Sequence, residues 1–406
     1  MNCRHCKEVL NYTFLDLGFA PPSNAYLQKD DLNKHEVYLP LKVKVCEKCW
    51  LVQTEDYTES ENLFTHDYAY FSSTSSSFLL HAENYVNNII KKLKLDQNSL
   101  VIEVASNDGY LLKNFVRSNI PCLGIEPTDT AETAKKMGIP IIKEFFSENL
   151  GNKIARENKK ADLIIGNNVY AHVPDINDFT KGLKAALKHN GTITLEFPHL
   201  MVLIDQQMFD TIYHEHFSYL SLHAVVKIFA EAGLRVWNVE KISTHGGSLR
   251  VYGCHVDDSR STNQSVVKLL TEEDDKGLRE LKTYLNFQVL TDKIKNDLLS
   301  FLIEQKRLKK KVLAYGAAAK GSTILNYAGI KSDLIKFVVD SSEAKQDKFM
   351  PGSHIPILHP EELIKNNPDY VLVFPWNLAD EIKAENLLLI KNGTKFFIAI
   401  PKLKII

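Results

Sequence analysis

Residues 100–127 read LVIEVASNDGYLLKNFVRSNIPCLGIEP, and their pattern is the strongest indication of the fold. An apolar run over 100–105 ends at the polar turn Ser106-Asn-Asp-Gly109. A helix-like pattern of apolar residues and a second short apolar run follow. The order strand, turn, helix, strand is half of a doubly wound sheet. The sequence therefore predicts an α/β protein.

The turn and the next strand end carry groups suited to a nucleoside cofactor. A glycine lets the backbone approach a ligand, and Glu126 at the strand end can accept both hydroxyls of a ribose. The spacing E-V-A-S-N-D-G does not fit G-x-G-x-x-G, which argues against a nicotinamide cofactor. It resembles the S-adenosylmethionine site of class I methyltransferases, with Ala105 in place of the usual first glycine. An ordinary tight turn is the alternative. The predicted cofactor-binding residues are Glu103, Ala105, Asn107, Asp108, Gly109, Glu126, Pro127, Phe146 and Asn167.

Length and composition limit the class of protein. A chain of 406 residues should hold two or three domains, and 44% hydrophobic and 24% charged residues fit a globular protein. The formal charge of −1, from 49 basic and 50 acidic residues, gives no field that would favour nucleic acid or a membrane surface. No run approaches 18 apolar residues and the first ten residues are not a signal peptide, so we expect a cytoplasmic protein with reduced thiols.

Four of the six cysteines form two C-x-x-C pairs, Cys3 with Cys6 and Cys46 with Cys49. In a reducing compartment such pairs favour one zinc ion over disulfides, and four thiolates leave no open position for water. The sequence predicts a structural zinc site, with a redox pair or buried thiols as the alternative. The remaining two cysteines lie in apolar runs and are predicted to be core.

An aromatic and hydroxyl-rich stretch over 67–77 precedes a predicted helix over 78–95. It is either a lid that lays Tyr68 or Tyr70 across a pocket, or a polar linker that ends in a helix cap. Farther along, the predicted strand 161–166 runs into Asn167, Asn168 and His172. Ligands of open α/β sheets bind beyond the carboxyl ends of strands, so these side chains are candidates to meet substrate.

The most unusual segment is Tyr213-His-Glu-His216, which follows the predicted strand 192–197. Clustered polar side chains of this kind are unfavourable in a core unless each has a partner. The histidines could bind a metal, but the H-E-x-x-H spacing is absent. General acid/base chemistry is the favoured interpretation, because imidazole titrates near neutrality. Surface polarity is the remaining alternative.

A second α/β unit follows a helical region over 263–311. Its strand 312–315 leads into Gly316-Ala-Ala-Ala-Lys-Gly-Ser-Thr323, where backbone N–H groups, a helix dipole and an ammonium could bind a diphosphate. The order of lysine and glycine differs from a Walker loop, and a packing turn is the alternative. The predicted substrate-binding residues are Tyr68, Tyr70, Asn168, His245, Gly316, Lys320, Ser322, Thr323, Asp340 and Trp376.

Together the cysteine pairs, the E-V-A-S-N-D-G turn, Asn168-x-x-x-His172, the Tyr213–His216 segment and the Gly316–Gly321 turn resemble the sugar C-methyltransferase family. The resemblance covers essentially the whole chain. It implies a zinc-binding domain over 1–65, a class I S-adenosylmethionine-dependent domain over 66–262 and a Rossmann-like nucleotide-sugar-binding domain over 263–406. The residues that it places in the active site are Tyr213, Glu215, His216, Asn168 and His172.

That family methylates ring carbons of nucleotide-linked ketodeoxysugars, which requires an enolate. We expect His216 to act as the base, oriented by Glu215, with Tyr213 and His172 donating to the keto oxygen or a neighbouring hydroxyl. Tyr213 as the base is the alternative assignment. Rival functions are O- or N-methylation, a zinc-ribbon nucleic-acid module and a regulatory protein. We expect a nucleotide-diphosphate ketosugar as substrate, no nucleic-acid or membrane partner, and a monomer.

Overall fold

The structure is a computed structural model that describes residues 1–57, 73 and 76–406. Its strands are β1 Tyr12–Ala20, β2 Leu39–Val45, β3 Val52–Thr54, β4 Val101–Val104, β5 Cys122–Ile125, β6 Ile141–Ile142, β7 Ala161–Asn167, β8 Leu187–Pro198, β9 Ser218–Tyr219, β10 Leu234–Ile242, β11 Ser248–His255, β12 Val312–Tyr315, β13 Val338–Val339, β14 Ile357–Leu358, β15 Tyr370–Val373, β16 Lys395–Ile398 and β17 Lys404–Ile405.

Its helices are α1 Ser76–Leu93, α2 Leu112–Arg117, α3 Ala131–Lys136, α4 Glu148–Arg156, α5 Ile176–Ala186, α6 Leu200–Asp205, α7 Leu222–Glu231, α8 Gln264–Asp275, α9 Leu281–Leu285, α10 Phe287–Arg307, α11 Ala319–Ala328, α12 Glu361–Asn366, α13 Ala379–Glu385 and α14 Leu387–Lys391. Short 3₁₀ turns lie at Lys29–Asn33, Tyr170–His172, Phe209–Thr211, Thr244–Gly246 and Trp376–Leu378.

The central sheet has the strand order β10-β11-β8-β7-β4-β5-β6. Strands β4 to β8 are parallel, and β11 and β10 complete the sheet in antiparallel pairing. Every residue of β4 is buried, as expected for a parallel strand with both faces covered. The strand order reverses between β4 and β7, which opens a crevice beyond their carboxyl ends. The predicted fold class is confirmed.

The carboxyl-terminal sheet has the order β14-β13-β12-β15-β16-β17, and all but β17 run parallel. Strand β12 coincides with its predicted range, and α11 begins just beyond its carboxyl end. Helix α8 lies after the predicted boundary at residue 262, yet the Ser265 hydroxyl accepts a hydrogen bond from the Val239 amide of β10, at 3.3 Å. The domain boundaries near residues 65 and 262 stay predictions.

The amino-terminal sheet is antiparallel, with the order β1-β2-β3-β9. Its last strand comes from the middle of the chain, since Val52 pairs with Tyr219 and Gln53 with Ser218. This pairing joins the cysteine-bearing segment to the residues that follow Tyr213–His216. As for membranes, none of the helices in the described ranges combines the length and apolar character that crossing a bilayer requires.

Candidate active site

The four predicted zinc ligands lie together. The sulfur atoms of Cys3, Cys6, Cys46 and Cys49 are all within 4.8 Å of one another, and Cys3–Cys49 and Cys6–Cys46 are each separated by 3.5 Å. Four thiolates about 2.3 Å from a tetrahedral zinc ion would be about 3.8 Å apart, so the cluster fits the ion. The Gln53 amide donates to Cys3 Sγ at 3.3 Å, as outer partners of metal ligands do.

The turn after β4 is built from left-handed backbone. Ala105, Asn107 and Gly109 have φ angles of 57°, 50° and 80°. Ala105 therefore adopts the conformation for which glycine is usual at that place. The Asn107 amide donates to Glu126 Oε2 at 2.9 Å, so the turn and the end of β5 form one unit. Pro127 follows directly, and Thr128 donates from its amide to Glu126 Oε1.

This crevice is acidic. Burial raises the pKa of Glu103 well above its ordinary value, and the charges of Asp108 and Glu126 raise it further. Within the described part of the chain, Glu103 Oε2 and Asn167 Oδ1 are buried without a hydrogen-bond partner. S-Adenosylmethionine carries an ammonium and a sulfonium, so a pocket of clustered carboxylates with an unused acceptor fits it.

Phe146 lies at the packed interface of α4 and α5. Its ring meets the Phe179 ring edge-on, with centroids 5.2 Å apart, and it lies against Gly182. A contact of Phe146 with adenine therefore stays a prediction. The predicted lid tyrosines Tyr68 and Tyr70 lie outside the described residues.

The approach to the crevice is closed on one side by the start of α1. The Ser73 amide donates to Asp108 Oδ2 at 3.2 Å. The Phe78 ring stacks on Tyr110, with centroids 5.1 Å apart, and the His245 ring lies 6.2 Å from Phe78. The end of the predicted lid stretch therefore contacts the predicted cofactor site.

Three aromatic rings converge at the candidate catalytic centre. The His216 ring lies over Tyr213, with centroids 4.0 Å apart, and meets the edge of His172 at 4.6 Å. His172 lies in the turn after β7, whereas the other two follow the Phe209–Thr211 turn. The fold thus brings together the two segments that the sequence analysis singled out.

The protonation state of His216 follows from its contacts. Its Nδ1 lies 2.8 Å from the Thr211 carbonyl oxygen, which can only accept, so Nδ1 donates and Nε2 carries the lone pair. Burial lowers the pKa of His216 well below 6.5, and His172, His245 and Lys320 add to the effect. Burial also lowers the pKa of His172 and of His245 to about 4. All three imidazoles are neutral at neutral pH.

The prediction that Glu215 orients His216 is wrong. Glu215 Oε1 accepts from the Asn24 amide at 3.1 Å, and the Thr211 carbonyl takes the place expected for the carboxylate. Consecutive side chains of a tight turn point in different directions, which separates these two neighbours. His214 also turns away, with Nε2 3.2 Å from the Pro40 carbonyl oxygen, so the two histidines do not form a metal-binding pair.

Lys320 and Trp376 lie beside this centre, at the carboxyl-terminal sheet. Lys320 Nζ donates to Asn377 Oδ1 at 2.9 Å and lies 4.5 Å from the Trp376 ring centroid. Trp376 also packs against Gly246, where an added Cβ would come within 2.5 Å of the indole. The Thr244–Gly246 turn with His245 therefore lies against the predicted nucleotide side.

The turn before α11 is tight. Gly316 has a φ of 91°, and a Cβ there would come within 2.4 Å of Pro375. The hydroxyls of Ser322 and Thr323 donate to the carbonyls of Ser23 and Ile212, each at 2.9 Å. The predicted contact of these two hydroxyls with substrate would require those bonds to be given up.

Two further predicted residues lie at strand ends. Asp340 accepts from the Ser342 amide at 2.8 Å and pairs with Lys345 at 3.6 Å. Asn168 has a φ of 54°, and its amide donates to the Glu196 carbonyl at 2.8 Å. Their contact with substrate stays a prediction.

Sequence reasoning missed several buried or half-buried polar residues near the site. Asp210 accepts from the Trp376 indole N–H at 2.8 Å, and Asn24 contacts Glu215. Glu196, at the carboxyl end of β8, accepts from Arg250 Nε at 2.7 Å and from His81 Nε2 at 2.9 Å. The position of Glu196 at a strand end was a usable signal. No signal in the sequence indicated the contacts of Asp210 and Asn24.

Three family models match the chain. They describe a zinc binding domain over residues 3–64, a methyltransferase domain over residues 78–239 and a C-methyltransferase C-terminal domain over residues 243–401. The chain is also similar to the C-methyltransferase NovU of Streptomyces niveus. The two are 33% identical over 405 residues, which cover 100% of this chain and 96% of that protein.

Solved structures give weaker matches. The magnesium protoporphyrin IX methyltransferase ChlM from Synechocystis PCC 6803 is 14% identical, covering 50% of this chain and 100% of that chain, with a TM-score of 0.36. The PH0226 protein from Pyrococcus horikoshii OT3 is 13% identical, covering 49% and 100%, with a TM-score of 0.37.

Proposed function

The chain belongs to the family of S-adenosylmethionine-dependent C-methyltransferases, and from this premise we propose that it methylates a nucleotide-diphosphate-linked ketodeoxysugar at the ring carbon beside the keto group. Its amino-terminal region is a zinc-binding domain. Bound S-adenosylmethionine supplies an electrophilic methyl group. The remaining chemistry is to make a sugar carbon nucleophilic.

A ring carbon has no lone pair, so the proton beside the keto group must first be removed to give an enolate. His216 suits this role, because its Nδ1 is committed to the Thr211 carbonyl and its Nε2 is left as the basic nitrogen. The 2.8 Å contact between His216 Nδ1 and the Thr211 carbonyl oxygen is the single observation that carries the proposal. Lowering of its pKa by burial keeps the imidazole unprotonated at neutral pH, ready to accept a proton.

The developing oxyanion needs hydrogen-bond donors in a dry site. Tyr213 and His172 flank His216, with ring centroids 4.0 and 4.6 Å from it, and are the proposed donors to the keto oxygen or an adjacent hydroxyl. S-Adenosylmethionine, when bound, would supply the methyl group to the enolate carbon, with the electrons of the S–C bond leaving on sulfur. The proton taken from the sugar carbon would remain on His216 Nε2 until solvent removes it.

The proposed binding site of the nucleotide lies at the carboxyl-terminal sheet, next to α11. Lys320 lies in the first turn of α11, so its ammonium and the helix dipole favour an anion there. Trp376 offers a flat face beside it, 4.5 Å from Lys320 Nζ. These contacts support a diphosphate-linked substrate. Turnover of a small panel of ketosugars on different nucleotides, followed by mass spectrometry, tests the substrate class.

The role of His216 is tested by exchange of the sugar C–H with deuterated solvent in the absence of cofactor. We expect wild-type protein and Tyr213→Phe to catalyse exchange, and His216→Asn to lose it. Unchanged exchange in His216→Asn would rule His216 out as the base. Exchange lost only in Tyr213→Phe would instead assign proton removal to the tyrosine.

A further inference from the structure

The segment 209–212 is held on both sides by side chains from the carboxyl-terminal part of the chain. The Trp376 indole N–H donates to Asp210 Oδ2 at 2.8 Å. The Thr323 hydroxyl donates to the Ile212 carbonyl oxygen at 2.9 Å. We call these two hydrogen bonds the clamp. Asp210 and Thr323 are at most 2% exposed, so water cannot readily replace either bond.

Thr211 lies between the two points of the clamp, and its carbonyl oxygen is the acceptor of the His216 Nδ1 proton. The direction of that carbonyl depends on the backbone of its two neighbours, Asp210 and Ile212. If the carbonyl rotated away, His216 Nδ1 would lose its acceptor, and the proton could move to either ring nitrogen. The clamp therefore acts on the group that fixes the imidazole tautomer.

We propose that Asp210 and Thr323 are positioning residues that hold His216 in the tautomer with a basic Nε2. Both act through the backbone of 210–212. This inference rests on the proposed function, in which His216 removes the substrate proton. The carboxyl-terminal part of the chain, through Trp376 and α11, then determines which ring nitrogen of the proposed base His216 carries the proton.

The test compares two pairs of variants in the full-length, zinc-loaded protein. Asp210→Ala and Thr323→Val each remove one bond of the clamp. Asp210→Asn and Thr323→Ser retain an acceptor or a hydroxyl and are the matched controls. The tautomer of His216 is read from the ¹⁵N shifts of labelled histidine, with the His216 signal identified by its loss in His216→Asn.

In wild-type protein and both controls we expect a single His216 tautomer with the proton on Nδ1. In Asp210→Ala and Thr323→Val we expect a mixture of tautomers. In these two variants kcat should fall about 10- to 100-fold, since a misplaced base affects the chemical step. Affinity for S-adenosylmethionine should stay within about twofold of wild type, because the acidic crevice is untouched.

Asp210→Ala and Thr323→Val are each a complete test. If one of these variants fails to fold or to bind cofactor, the other still tests the proposal. The proposal is overturned if Asp210→Ala or Thr323→Val keeps the pure Nδ1–H tautomer, or if the two control variants lose as much activity. Failure of the proposed function is distinguishable, because His216→Asn would then retain solvent exchange whatever the tautomer measurements show.

Discussion

Two buried carboxylates near the site ionise less readily than carboxylates in water. Burial raises the pKa of Glu103 well above 4.5 and that of Asp210 to about 6. An acid whose pKa is raised by folding stabilises the fold while it is protonated, and this contribution is lost as the pH rises through the folded-state pKa. At neutral pH both groups therefore lower stability, as expected of residues retained for binding or positioning.

Replacing Glu103 should separate stability from cofactor binding. Glu103→Gln removes the unfavourable charge, so the cofactor-free variant should melt above wild type, with a difference that grows as the pH rises above 4.5. It also removes a partner of a cationic cofactor, so affinity for S-adenosylmethionine should fall at least about tenfold. Thermal unfolding between pH 5 and 8 and calorimetric titration measure the two effects. Glu144→Gln, at an exposed carboxylate, is the control, and unchanged affinity in Glu103→Gln would contradict the prediction.

Lys320 should influence the pH profile through His216. Burial holds the pKa of His216 well below 6.5, and the positive charge of Lys320 adds to this effect. The acidic limb of the kcat/KM profile of wild-type enzyme should therefore lie below pH 6.5. Lys320→Met should move this limb toward higher pH and raise KM, while Lys336→Met at an exposed site should change neither. A limb that stays in place in Lys320→Met would show that the ammonium does not act on the base.

At the scale of elements, the short strands β3 and β9 connect the zinc-binding segment to the segment Tyr213–His216. Gln53 contacts the Cys3 sulfur with its side chain and pairs with Ser218 through its backbone. The Thr54 hydroxyl donates to the His216 carbonyl at 3.3 Å. The two paired residues of β3 and β9 thus link the cysteine cluster to the end of the Tyr213–His216 segment.

Removal of zinc should loosen β9 before it affects distant sheets. After chelation we expect faster hydrogen exchange at the amides of Ser218 and Tyr219, because their partner strand β3 loses its anchored end. Amides of β15, in the carboxyl-terminal sheet, should keep their protection and are the internal control. Equal loss of protection in both sheets would indicate global unfolding, and no change in β9 would refute the coupling.

At the scale of the whole molecule, one short segment takes contacts from all three sheets. Asn24 reaches Glu215 from the amino-terminal region, His172 reaches His216 from the end of β7, and Trp376 reaches Asp210 from beyond β15. The candidate active site therefore depends on how the parts of the chain are assembled.

The junction at Gly246 offers a direct test of that assembly. Gly246 and Gly329 have φ angles of 89° and 64°, so alanine at either should cost about 1–2 kcal/mol in backbone strain. A Cβ at Gly246 also comes within 2.5 Å of Trp376, whereas at Gly329 no atom lies within 4 Å. We expect Gly246→Ala to lower the free energy of unfolding and catalytic activity more than Gly329→Ala does. Equal effects in unfolding and kinetic measurements would show that the indole yields easily.

Local pattern was enough to predict the strand, turn, helix and strand at the centre of the first parallel unit, strand β12, the cysteine cluster and the segments that meet at the site. Those features depend on side-chain periodicity and on neighbours a few residues apart. The sequence pattern could not predict which side chains contact each other, because Asp210 and Trp376 are 166 residues apart and Asn24 and Glu215 are 191 apart. The misassigned role of Glu215 shows the same limit, since adjacency in sequence did not give adjacency of side chains.

The clamp also sets an order of events during synthesis. Asp210 leaves the ribosome 166 residues before Trp376, a delay of roughly 10 to 30 s at usual elongation rates. During that interval the hydrogen bond between Asp210 and the Trp376 indole cannot form, because its donor has not been synthesised. The final contacts of segment 209–212 are therefore completed late in synthesis, after the strands of the central sheet have been made.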